Sequence, residues 1–113
     1  MRDLVVKMAE VFKALGDPTR LRILRMLASN PEQKVCVGCI AERLGISQPA
    51  VSQHLKVLKN VGLAEPNREG FRVHYAINSE TLDAFQKDWQ ALTALTAEKC
   101  PCSGKEACQE EIA

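Results

Sequence analysis

The chain has 113 residues, 46% hydrophobic and 26% charged, with a formal net charge of +1. That length fits one domain that buries only part of its apolar surface as a monomer, and the balance of apolar and charged residues is that of a soluble globular protein, not a disordered one. No apolar run approaches the roughly 20 residues that span a bilayer, and Met1-Arg2-Asp3 does not open a secretory signal, so the expectation is a cytoplasmic protein with no membrane partner.

Leu4, Met8, Val11, Phe12 and Leu15 recur at helical spacing. Gly16-Asp17-Pro18 interrupts them: Asp17 suits an N-cap, and Pro18 is tolerated in the first turn of a second helix carrying Leu21, Ile23, Leu24 and Leu27 and ending near Asn30-Pro31. Val35 to Leu44 reads as a third helix with Ile40, Ala41 and Leu44 inward. Gly45 stops it, Ser47 caps the next and Pro49 falls in that helix's first turn, which makes two short helices joined by a tight turn. On the second of them Val51, Leu55 and Leu58 share one face, while Pro49, Gln53, Lys56 and Asn60 point the opposite way.

After Gly62 the period becomes two. Val73, Tyr75 and Ile77 alternate with Arg72, His74 and Ala76, preceded by Leu63 to Pro66 and a turn around Asn67 to Gly70; this is a β-hairpin wing, with Pro66 confining its strand to an edge or an end. From Ser79 a last helix places Leu82, Phe85, Trp89 and Leu92 at steps of three and four, as the core of a dimer, and runs until Pro101. The expected fold is mainly α with a β-hairpin wing, a homodimeric winged helix-turn-helix over residues 1–98, followed by a cysteine-rich tail, 99–113.

Charge is spread unevenly along this plan. From Ser47 to Asn78 four cations, Lys56, Lys59, Arg68 and Arg72, face two anions, Glu65 and Glu69, whereas from Glu98 onward two lysines face four glutamates. The middle suits a polyanion and the tail does not. A helix that starts at Ser47 and carries Gln48, Ser52, Gln53 and Lys56 sets amide, hydroxyl and ammonium groups where a DNA major groove presents acceptors and donors. Gln53 matches adenine, Lys56 a phosphate or guanine, and Arg68 and Arg72 on the wing a phosphate or the minor groove. The same polarity also fits a merely solvated face. His54, on the shoulder of the apolar face, has two readings, a backbone-bonded imidazole or a DNA contact; His74 on a wing strand reads as solvated.

Two stretches, Ala14-Leu15-Gly16-Asp17-Pro18-Thr19-Arg20-Leu21-Arg22-Ile23-Leu24 and Ile46-Ser47-Gln48-Pro49-Ala50-Val51-Ser52-Gln53-His54-Leu55-Lys56-Val57-Leu58, resemble the ArsR/SmtB family of winged-helix metalloregulators, arsenic-responsive type, and the resemblance runs over about residues 5 to 98. It implies a homodimer built on the first and last helices and a repressor released from double-stranded operator DNA by a bound ion. For Ser47, Gln48, Ser52 and Gln53 it implies base or phosphate contact, and for Arg68 and Arg72 contact by the wing.

Five cysteines, an odd number without an export signal, argue for metal, metalloid or redox chemistry over a disulfide framework. Thiolates are soft ligands and imidazole is scarce here. The family's zinc sensors resemble one another in carrying His and acidic ligands along the last helix; this chain has Asp83 and Asp88 there but no His between Ser79 and Glu98. Pro101 extends the chain between Cys100 and Cys102, and Gly104 lets it turn back so that Cys108 converges on them. Three thiols fall short of tetrahedral zinc but complete a trivalent centre, so the expected inducer is As(III) or Sb(III), with no organic cofactor. The layout is similar to C-terminal arsenite sites in some family members; the other reading of the tail is thiols that merely oxidise.

Cys36-Val37-Gly38-Cys39 stands where arsenic-responsive relatives have Cys-Val-Cys-Asp. Cys36 aligns with their first ligand, Gly38 occupies the second position and Cys39 replaces the Asp. Three uses stay open: a metal site, a redox pair near a helix N-terminus, or packing with Cys39 half-buried against the core. A thioredoxin-like enzyme is excluded, because that motif belongs in a βαβ unit and this one lies inside a helix-turn-helix. A carrier that hands arsenite to another protein is the alternative that DNA binding would separate.

Overall fold

The computed structural model describes residues 2–32 and 34–94. Its helices begin and end where side chains or a glycine can satisfy free backbone groups. After α1 (Arg2–Leu15), the Asp17 carboxylate accepts hydrogen bonds from the N–H groups of Thr19 at 2.8 Å and Arg20 at 3.2 Å and so starts α2 (Pro18–Ala28). The bond from Arg20 is the main cause holding the Asp17 carboxyl below its ordinary range. The Arg20 guanidinium reaches back to the Ala14 carbonyl at 2.8 Å, which fixes the angle between the two helices.

β1 (Val35–Cys36) leads directly into α3 (Val37–Leu44). Gly45 ends α3 at φ 67°, a left-handed conformation that costs glycine little, and Ser47 Oγ then accepts the Ala50 N–H at 3.2 Å to open α4 (Gln48–Asn60). β2 (Ala64–Glu69) and β3 (Arg72–Ile77) form the wing, and α5 (Ser79–Leu92) closes the described chain. The sheet is antiparallel in the order β1-β3-β2, with Val35 opposite Tyr75, Cys36 opposite His74, and Glu69 opposite Arg72.

The core is the meeting of α2, α3, α4 and the base of the wing. Ile23, Leu27, Ile40, Val51, Leu55, Leu58 and Leu63 are fully buried, each stabilising the fold by about 1.5–3 kcal/mol, and Leu44 packs against the cluster. α5 has no buried residue. Phe85 and Trp89 instead meet the Phe12 ring of α1 edge-on, at centroid distances of 5.1 and 5.0 Å. Phe12 stays 42% exposed, Trp89 44% and Val5 43%, so this face of α1 and α5 is apolar and open. No helix among the described residues is long and apolar enough to cross a membrane.

The mainly helical winged fold is as expected, with three local differences. Val35 and Cys36 form a strand instead of the first turn of α3, because their backbones pair with β3. β2 continues through Asn67 to Glu69, and the hairpin turns at Gly70-Phe71, where Gly70 takes φ 62°. α5 stops at Leu92, well before Pro101: the backbone of Thr93 leaves helical geometry at φ −97°, ψ 9°, while its N–H at 3.1 Å and its hydroxyl at 2.8 Å both donate to the Trp89 carbonyl.

Candidate nucleic-acid interface

Burial of Val51, Leu55 and Leu58 turns the other face of α4 outward, so Gln48, Pro49, Ser52, Gln53 and Lys56 are all exposed along one helix. Ser47, also exposed, uses an oxygen lone pair as the N-cap and keeps its hydroxyl proton to donate. His54 is half-buried, and it is among the lesser causes that lower the Asp17 carboxyl.

The wing stands beside α4. Its two carboxylates are both engaged: Glu65 accepts from Asn78 Nδ2 at 2.9 Å and Glu69 from Lys34 Nζ at 3.1 Å. The Lys34 bond is the main cause holding the Glu69 carboxyl below its usual range. Arg68 and Arg72 are exposed, and among the described residues neither has an acidic partner within salt-bridge distance. Among the described residues the cations of the wing thus have no acidic partner, while its anions are engaged. Phe71, at the tip between Gly70 and Arg72, is 106% exposed.

Between α4 and the wing runs an open groove of about 970 Å³ whose lining includes Gln48 and Ser52 from one side, Arg68 and Arg72 from the other, and Cys36 and Cys39 on its floor. The two sulfurs are 2.7 Å apart, and the Cys39 N–H donates to Cys36 Sγ at 3.2 Å, so a thiol serves as the N-cap of α3. The side-chain contact with Cys39 is the largest cause lowering the Cys36 thiol below its ordinary value, followed by hydrogen bonds from the Cys39 and Gly38 backbones and the charge of Arg72. The same sulfur contact raises Cys39. A Cβ placed on Gly38 would lie 3.5 Å from Gln48 Nε2 and 3.9 Å from Cys36 Sγ, so the first side chain of α4 comes close to the thiol pair.

This geometry corrects two expectations. Cys39 is exposed in the groove, not half-buried against the core. His74 is half-buried instead of solvated; its Nδ1 is enclosed and has no hydrogen-bond partner among the described residues, and its strand partner is Cys36. Phe71 and Lys34 escaped the sequence reading; only the position of Phe71 just after Gly70 marked it. Cys100, Cys102 and Cys108 lie outside the described residues. Among the described residues no cluster of three or more His, Cys, Asp or Glu side chains is placed to hold a metal ion.

Comparison with known proteins adds to this geometry. Residues 17–65 match the family described as bacterial regulatory protein, arsR family. The chain is similar to an uncharacterized HTH-type transcriptional regulator of Methanocaldococcus jannaschii, 48% identical over 64 residues, or 57% of this chain and 70% of that one. It is 41% identical over 69 residues to the arsenical resistance operon repressor of Escherichia coli, covering 61% of this chain and 57% of the repressor. Among solved structures it resembles a homodimeric winged helix-turn-helix DNA-binding domain from Mycobacterium bovis, with a TM-score of 0.64, 32% identity, and coverage of 86% of this chain and 87% of that one.

Proposed function

The chain belongs to the arsR family of bacterial regulatory proteins, and from that premise we propose that it is a homodimeric transcriptional repressor, released from operator DNA when its thiols collect As(III) or Sb(III). The observation that carries the DNA part is the exposed polar row of α4, whose Gln48 and Ser52 line one open groove with the Arg68 and Arg72 guanidinium groups of the wing. A duplex presents base edges in its major groove and phosphates on the adjoining backbone, and the two walls match them in that order.

In this arrangement Gln53 reads a base edge, with Gln48 and Ser52 beside it, while Ser47 and Lys56 meet phosphate. Arg68 and Arg72 hold the backbone on the far side of the groove. Phe71 rests against sugar or the minor-groove wall at the wing tip. His54, half-buried near Asp17, helps hold the N-terminus of α2 and stands back from the bases. The second copy covers the apolar face of α1 and α5, as befits a chain similar to a domain described as homodimeric.

For the inducer, Cys100, Cys102 and Cys108 supply three soft ligands to a trivalent metalloid. The likeness to a repressor of an arsenical resistance operon supports that choice of ion. Mobility-shift titration of DNA from upstream of the protein's own gene, with and without arsenite, tests the whole proposal. Retardation that arsenite reverses is expected; no retardation in either condition leaves the arsenite-carrier alternative in its place.

A further inference from the structure

We infer that Cys36 and Cys39 form a thiol–disulfide exchange site on the DNA-facing surface, in which Cys36 attacks the S–S bond of a small disulfide, Cys39 resolves the adduct, and DNA lying in the groove shields both. Three features of the fold place this chemistry. The chain passes from strand to helix between the two residues, which brings sulfurs three positions apart to 2.7 Å with no other element having to move. Both side chains line an open groove, so a small disulfide has access. The order of attack also follows from position. Cys36 Sγ receives the Cys39 N–H at the positive end of α3, with the charge of Arg72 nearby, and these favour its thiolate; Cys39 keeps its proton and waits.

The exchange balances without a metal. The Cys36 thiolate forms a bond to one sulfur of the disulfide, and the other sulfur leaves as a thiolate that takes a proton from water. Cys39 then loses its proton to water, its sulfur bonds to Cys36 Sγ, and the second small thiolate departs. The protein dithiol is oxidised by two electrons and the small disulfide is reduced to two thiols. The chemistry is independent of the tail cysteines. Only the shielding rests on the proposed DNA-binding function: Gln48 of α4 and Arg72 of the wing line the same groove as the thiol pair, so a backbone held between those walls closes the entrance.

The test uses the full chain with Cys100, Cys102 and Cys108 replaced by Ser, and dithiodipyridine as the disulfide, its released thione being read by absorbance. Release of two thiones per chain, with peptide mapping showing a Cys36–Cys39 disulfide and no retained pyridyl group, is expected. The further change Cys39→Ser should release one thione and keep the adduct on Cys36. Cys36→Ser, which retains a good N-cap for α3, should slow the first release by about tenfold. Stable adducts on both cysteines, or an unchanged rate in Cys36→Ser, would overturn the assignment. Operator DNA should slow the reaction by about tenfold. An undiminished rate on DNA shown to be bound would overturn the shielding. DNA that fails to bind at all sinks the proposed function, and the thione count then decides the exchange chemistry alone.

Discussion

The fold leaves two faces open, for opposite chemical reasons. On α1 and α5 the aromatic pairs of Phe12 with Phe85 and Trp89 are packed among themselves yet remain half in water, and the surrounding surface is apolar. On α4 Val51, Leu55 and Leu58 are spent in the core, on the wing the carboxylates are engaged by Lys34 and Asn78, and guanidinium and amide groups remain, with Phe71 at the tip. An apolar face is stabilised by another apolar face, and a row of free cations and amides by a polyanion. The contrast fits the proposed partners: a second copy on one side, nucleic acid on the other.

The sharpest way to break that assignment is to put a charge on the apolar face. Trp89→Asp should weaken the dimer by about a hundredfold, the scale of losing an aromatic anchor from an interface, and weaken operator binding with it, as sedimentation velocity and DNA titration would report. An unaltered oligomeric state would mean that the second copy sits elsewhere. On the other face, Gln53→Ala should leave the dimer intact and cost about 1–3 kcal/mol of discrimination at one base position, read from affinities for a set of single-base operator variants. Arg72→Ala should lower affinity for all sequences alike and reduce the slope of log affinity against log salt by about 0.9, the share of one phosphate. A loss confined to one base position would instead make Arg72 a reader of sequence.

The smallest effect concerns neither face but the hinge between α1 and α2. The Asp17 carboxyl is lowered in the fold by its capping bonds, so its stabilising contribution is complete above the unfolded value near 3.8 and is lost as pH falls through the lower folded value. Thermal melts should show Asp17→Asn less stable than the parent chain at neutral pH, with the difference shrinking below about pH 4. A gap that stayed constant down to strong acid would place the source of stability elsewhere.

What the sequence discloses and what it hides divide along the same lines as local and long-range interactions. Asp17, Ser47 and Gly45 announce helix ends because a cap is made within four residues, and the 3.6-residue period of Val51, Leu55 and Leu58 separates the inner from the outer side of α4. β1 was hidden. A strand of two residues has no period, and its existence depends on pairing with Tyr75 and His74 some forty positions away. The burial of His74 and the exposure of Cys39 follow from that pairing and were hidden with it. The end of α5 was missed because Pro101 looked like the stop signal, while the backbone had already left helical geometry at Thr93. For the site, spacing made the α4 row and the wing arginines legible. The 2.7 Å sulfur contact, and the approach of Gln48 to it, needed the strand-to-helix turn in three dimensions.

In the proposed division the tail holds the metalloid and the groove carries the disulfide chemistry, and its most direct test is arsenite release of operator DNA by chains in which Cys100, Cys102 or Cys108 is singly replaced by Ser. Each should bind operator as the parent does, because these residues lie outside α4 and the wing, and each should lose most of the arsenite response, since coupling of about 1–3 kcal/mol cannot survive the removal of one of three soft ligands. Cys36→Ser should still be released. If the tail variants left DNA on addition of arsenite while Cys36→Ser held it, the ion would be sensed beside the recognition helix, and the division drawn here would be contradicted.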